Sequence, residues 1–188
     1  MAEQVDIPLG YHRQYLHVDV TTGRGRYVPI ADEVLRQYRG GGGRGTQLLL
    51  KLDAAMAEPL SPEAPLAFVF SPLVGSPLTT SAKFAVVSKS PLTERINDSL
   101  ASSHFALAGK KCACDAIVIT GRARDLSVLV IDDGKVRVEP AGELEGAACG
   151  FTHAQLKQRF GGDFHFAVIG PAGERQVRYA TISHDGRH

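Results

Sequence analysis

The sequence predicts an α+β, strand-rich fold built from two similar halves related by a pseudo-twofold axis. Three observations lead there. Short apolar or alternating runs bounded by Gly, Pro, Asp or Ser outnumber helical patterns. The 20 glycines gather in turns, as tight strand connections require. One order of elements, hairpin, helix, Gly-Gly stop, strand, Pro-containing turn, strand, occurs twice, over about 14–121 and 126–188 of a single 1–188 domain.

Residues 15–20, YLHVDV, alternate and predict a strand; Thr21-Thr22-Gly23 turns it into a second strand over 25–30, where Pro29 marks an edge. Residues 31–39 predict a helix, with Asp32 and Glu33 early and Arg36 and Arg39 late, as the dipole favours. Four glycines, 40–43, are expected to stop it before an apolar segment at 47–52 of open type. Residues 66–70 predict a buried strand. Residues 84–87 predict another, followed by a polar turn at 89–93 and a helix to about Lys110, capped by Asp98 or Ser99. Ala116–Thr120 reads as a strand covered on both faces, and Asp133-Gly134 joins a further hairpin. A helix over 152–160 with Thr152 as its cap and strands over 164–169 and 177–183 complete the chain.

A strand leading through a polar turn to a helix N-terminus is suited to an anion, since orphan N–H groups and the helix dipole converge there. The repeat places one such seat near 83–100 and another near 178–188. LHVDVTTGRGRYVPI parallels VLVIDDGKVRVEPA, EVLRQYRGG parallels QLKQRFGG, and SPLVG with KFAVVS parallels GPAG with VRYATIS. Candidate contacts are Lys83, Lys89, Arg95, Ser90 and Thr93 in the first seat, and Arg178, Arg187 and His188 in the second. Arg44, with Gly41–Gly45, either wraps an anion or belongs to a helix stop.

A net charge of +1 provides no global field for nucleic acid or an anionic membrane, and no apolar run reaches the length of a membrane span. Three cysteines without a framework spacing point to reduced thiols and a cytoplasmic setting. Cys112 and Cys114 are expected to share one strand face as a buried pair. His104, His184 and His188 lack the spacing of a metal set.

Taken in order, LHVDVTTG, YRGGGGRGTQLL, PLSPEAPLAFVFSPLVGSP, KFAVVSKSPLT, DAIVITGRA, IDDGKVRVEPA and VRYATISHDGR resemble the N-terminal domain of the tungsten-containing aldehyde ferredoxin oxidoreductases, from about Tyr15 to His188. The resemblance implies a domain that seats a bis-pterin tungsten or molybdenum cofactor, one pterin per half, with magnesium bridging the pterin phosphates. It implies Lys83, Arg44, Asp98, Ser99, Leu100, Arg187 and His188 as the cofactor-contacting positions. The family usually carries Arg where Lys83 stands, and Ser-Asn-Ser-Gly-Gly where this chain has Ser99-Leu100-Ala101-Ser102-Ser103. The [4Fe–4S] cluster and the acid–base groups of the family belong to later helical domains, and three cysteines fall short of the four thiolates that cluster needs. The chain alone is therefore expected to be catalytically incomplete, completed by helical domains or a subunit carrying the cluster, and to reach ferredoxin only through the whole enzyme. Two other readings stay open: a scaffold or assembly subunit with a decayed pterin site, and a module for another anionic ligand.

Overall fold

Residues 9–186 are described by a computed structural model, and a six-stranded mixed sheet forms its centre. β1 (Gln14–Asp19) turns through Thr21-Thr22-Gly23 into β2 (Arg24–Pro29), its antiparallel partner. The Asp19 carboxylate closes that turn, accepting the Thr21 N–H and the Thr22 hydroxyl, both at 2.9 Å. Pro29 does lie on an edge strand, where a missing N–H costs nothing. Next follow α1 (Asp32–Gln37), α2 (Gly41–Lys51), β3 (Leu66–Phe70), β4 (Lys83–Lys89), β5 (Ile96–Ser102), α3 (His104–Lys111) and β6 (Ala116–Thr120). The sheet order is β2-β1-β6-β3-β4-β5, with β6 parallel to β1 and antiparallel to β3.

Both faces of this sheet are covered, which explains the continuous apolar runs of β3 and β6. On one face Leu35, Leu48 and Leu49 of α1 and α2 meet Tyr15, Val69, Val87 and Val118. On the other, α3 lies over Leu16, Val18, Phe70 and Ile117, with Phe68, Phe84 and Phe105 forming an aromatic cluster 5.3–6.4 Å between centroids. Burying each such side chain contributes about 1.5–3 kcal/mol.

The second half opens on the expected hairpin, β7 (Ser127–Asp132) with β8 (Lys135–Pro140). A 3-10 turn at Gly142–Leu144 leads to α4 (Cys149–Phe160), then β9 (Ala167–Val168), α5 (Pro171–Glu174) and β10 (Ser183–His184). A third small core gathers Ala141, Leu144, Leu156, Phe166 and Val168.

Four expectations need correction. Asp98 and Ser99 cap no helix: they lie within β5, and α3 starts later, on Ser103, whose Oγ accepts the Phe105 N–H at 3.2 Å. The glycine run does not stop a helix but supplies the cap and first turn of α2; beyond it, a Cβ on Gly45 would come 2.3 Å from Val87, and only glycine lets the helix approach β4 so closely. Thr152 is buried inside α4 rather than at its start, where Ala148 holds the cap position. Of the strand expected over 164–169 only Ala167–Val168 remains, and of the one over 177–183 only Ser183, which pairs with Val168.

Candidate functional site

Directly opposed residues of an antiparallel ladder point to the same side of the sheet. The β4–β5 register sets Lys83 against Ser102, Ala85 against Leu100 and Val87 against Asp98. Val87 faces Gly45 of α2, so Lys83, Asp98, Leu100 and Ser102 share the α2 face. Ser99, opposite Val86, points to the α3 face. Sequence candidates from two strands, Lys83 of β4 and Asp98 and Leu100 of β5, thus meet on one surface, and Ser99 is separated from them.

The N-terminus of α2 opens onto this surface. Its cap residue, Gly40, provides no side-chain bond, and the first intrahelical bond runs from the Arg44 N–H to the Gly40 carbonyl at 3.4 Å. The N–H groups of Gly41, Gly42 and Gly43 thus stand at the positive end of the dipole. Asp98 lies against this turn: a Cβ on Gly42 would come 2.6 Å from its Oδ2. The Lys83 side chain is exposed and has no hydrogen-bond or ion-pair partner among the described residues. Leu100 is 72% exposed, a large apolar side chain turned to solvent on the same face.

Arg44 is elsewhere. It is 1% exposed, and Nη2 donates to the carbonyls of Val34 at 2.9 Å and Tyr38 at 2.5 Å. A buried cation at the C-terminal end of α1 thus satisfies the Tyr38 carbonyl and gives the Val34 carbonyl, which already accepts the Tyr38 N–H at 2.9 Å, a second donor. Burial pulls its pKa below the usual guanidinium value, and Nη1 is buried without a partner. Arg44 therefore ties α1 to α2 and does not face the α2 surface as a ligand.

The turn after β4 is self-contained. Ser90 Oγ accepts the Leu92 and Thr93 N–H groups at 3.2 and 3.3 Å, so it is engaged in the turn. Lys89 donates to the carbonyls of Ala55 and Ala57 at 2.9 and 2.8 Å. Arg178 Nη1 reaches the Pro91 carbonyl at 3.3 Å, joining the second half to this turn. Arg187 and His188 lie outside the described residues.

Two carboxylates that sequence reasoning missed organise the surroundings. Asp115, 3% exposed, accepts the His12 and Arg13 N–H groups at 2.9 and 2.8 Å and the Lys110 ammonium at 2.6 Å. Asp185 accepts the Phe105 N–H at 2.9 Å and contacts His165 Nδ1 at 3.1 Å, so the N-terminus of α3 already holds an anion from the chain itself. The cysteines share no strand face: Cys112 caps the C-terminus of α3, and burial pushes the Cys114 thiol up to about 12. Among the described residues no three His, Cys, Asp or Glu converge as a metal site, and no helix is long and apolar enough to cross a membrane.

Comparison with known proteins decides the family. The model of the aldehyde ferredoxin oxidoreductase N-terminal domain matches residues 15–188. The chain belongs to the aldehyde ferredoxin oxidoreductase family. It is 34% identical over 179 residues to the tungsten-containing aldehyde ferredoxin oxidoreductase of Pyrococcus abyssi, covering 94% of this chain and 29% of that protein. It is 33% identical over 174 residues to the enzyme of that name from Thermococcus kodakarensis, covering 92% and 29%. The fold matches the active site complex BamBC of benzoyl coenzyme A reductase, solved with 1,5-dienoyl-CoA, at a TM-score of 0.88 and 29% identity, over 94% of this chain and 27% of that one. The chain thus spans under a third of the length of the family relatives it matches.

Proposed function

We propose that this chain is the cofactor-seating domain of an aldehyde ferredoxin oxidoreductase-type enzyme, holding a pterin-bound tungsten or molybdenum cofactor, and that the α2 face of β4 and β5 is one of its two seats. The family match across residues 15–188, with tungsten in the names of the relatives, carries this reading.

The donor set on that face suits phosphate. Lys83 offers an uncommitted cation, Ser102 a hydroxyl, and residues 41–43 the N–H groups of a helix N-terminus. Asp98 is the carboxylate on that face able to take a magnesium ion, whereas Leu100 brings no ligand atom. When bound, the metal and its pterins supply the two-electron oxidation of an aldehyde to a carboxylate. The part of this chain is to neutralise phosphate charge, to fix the orientation of the pterin against a rigid sheet, and to keep water from that side. Arg187 and His188 are proposed for the second seat. Completion of the reaction, with its [4Fe–4S] cluster and electron transfer to ferredoxin, is assigned to helical domains or a subunit beyond this chain.

A second reading, a scaffold whose seat no longer binds pterin, is favoured by one observation: Leu100 exposes an apolar side chain in the middle of the face. Metal and pterin analysis of the natural assembly containing this chain separates the two. Tungsten or molybdenum at about one atom per chain with two pterins supports seating; neither metal nor pterin supports the scaffold.

A further inference from the structure

The two halves share two strand pairings, and the first half adds two strands: β5, on the outer edge of β4, and β6. Each has an opening hairpin, β1/β2 and β7/β8, and a second antiparallel pair, β3/β4 and β9/β10. In the first half β6 lies between the two pairs, parallel to β1 and antiparallel to β3, and fuses them into one sheet. In the second half no backbone hydrogen bond joins β7 to β9 among the described residues, and the pairs are two separate sheets.

Between them lies a cavity of about 600 Å³, lined on one side by β7 and on the other by the 163–169 stretch. β7 and β9 occupy one layer. Leu129 and Ile131 of β7 and Ala167 of β9 face the large sheet. Val128 of β7 and Phe166 and Val168 around β9 face the core of α4. Phe68, Ile117 and Phe105 from the large-sheet core and Leu156 and Phe160 from the α4 core also line the cavity.

We infer that this cavity is a strand slot: it takes an extended apolar segment from the part of the enzyme outside this chain, parallel to β7 and antiparallel to β9. A strand there is covered on both faces, so it must be apolar at successive positions, as β6 is. Its backbone would satisfy the N–H and C=O groups that the facing edges of β7 and β9 leave open. The relatives supply the source, since this chain spans only 29% of their length. The inference is independent of what binds at the Lys83 face.

The test adds a synthetic peptide repeating residues 115–121, flanked by lysines for solubility, to the chain, with hydrogen exchange followed residue by residue. Exchange should slow by about tenfold or more at alternate amides of both β7 and β9. The same peptide with Val118→Pro, which removes a ladder donor, should give no protection. Three results overturn the inference: no protection with either peptide; an apolar dye that fills the cavity and is displaced without amide protection, which makes it a small-molecule pocket; or protection that rises with chain concentration alone as a dimer forms, which makes a second copy the occupant.

Discussion

The carboxylate of Asp185 accepts the Phe105 N–H at 2.9 Å across 80 residues of chain, and so caps α3 from the far end of the domain. Asp185 also has φ +49, a left-handed conformation that costs a non-glycine residue, and its own N–H is bound to the Phe166 carbonyl at 2.9 Å. Several bonds hold one strained residue, and together they fasten the second half to the first.

Removing that charge should loosen the clasp. Asp185→Asn keeps the shape but loses charge-assisted bonds, at a cost of about 1–3 kcal/mol at neutral pH, readable as a lower Tm. Burial alone would raise this carboxyl, but hydrogen bonds from Ser103, the Phe105 N–H and His165 hold it below its ordinary value of 3.8. The folded pKa is depressed, so the stabilisation is present above about pH 4 and fades as pH falls through the folded pKa. The Tm gap between the parent chain and Asp185→Asn should narrow below pH 4; a gap unchanged down to pH 2 contradicts the clasp.

Arg44 predicts a stability effect, not a ligand effect. Arg44→Ala leaves the Tyr38 carbonyl without its donor, removes one of two donors from the Val34 carbonyl and opens a void, costing about 2–4 kcal/mol. Urea midpoints should fall accordingly, while folded protein retains its metal and pterin content. Loss of cofactor at unchanged stability would return Arg44 to the ligand set.

The glycines of α2 divide by what surrounds them. Gly43 has open space where a Cβ would go, so Gly43→Ala should stabilise by about 0.5–1 kcal/mol through helix propensity. Gly45→Ala drives a Cβ into Val87 and should destabilise by about 1–3 kcal/mol or more. Equal effects of the two on thermal unfolding would disprove close approach as the reason for Gly45.

Cys114 should be inert. With its thiol near 12, about one molecule in ten thousand is thiolate at pH 8. Iodoacetamide should modify it only after denaturation, as peptide mapping would show; native-state labelling would place it outside the core.

The six strands of the large sheet divide sharply in how readable they were. β1, β3, β4 and β6 announce themselves by alternation or apolar runs, because they have at least one buried face, and the exposed β2 is betrayed by the Thr21-Thr22-Gly23 turn that precedes it. β5 does not: its residues are almost all exposed, so no periodicity distinguishes INDSLAS from a helix start, and only its register with β4 defines it. The glycine run that opens α2 imitates a helix stop, and the need for Gly45 after it is hidden because Val87, the residue it approaches, lies 42 positions along the chain. Residues 177–182 have strand composition but lie in no strand, and only Ser183 of the expected stretch pairs, with Val168. At the site, Lys83, Asp98 and Leu100 were legible through resemblance and proved to share one face. Asp115 and Asp185 were not, because the His12 and Arg13 N–H groups that Asp115 accepts lie 103 and 102 positions away and the Phe105 N–H that Asp185 accepts lies 80 away.

The most direct test of the proposed seat is the pterin and tungsten content of the natural assembly carrying Lys83→Glu beside one carrying Lys83→Arg. If Lys83 neutralises cofactor phosphate, Lys83→Glu should lose about tenfold or more of both pterin and metal at unchanged Tm, while Lys83→Arg retains them. Equal, full occupancy in both variants would contradict the assignment of this face.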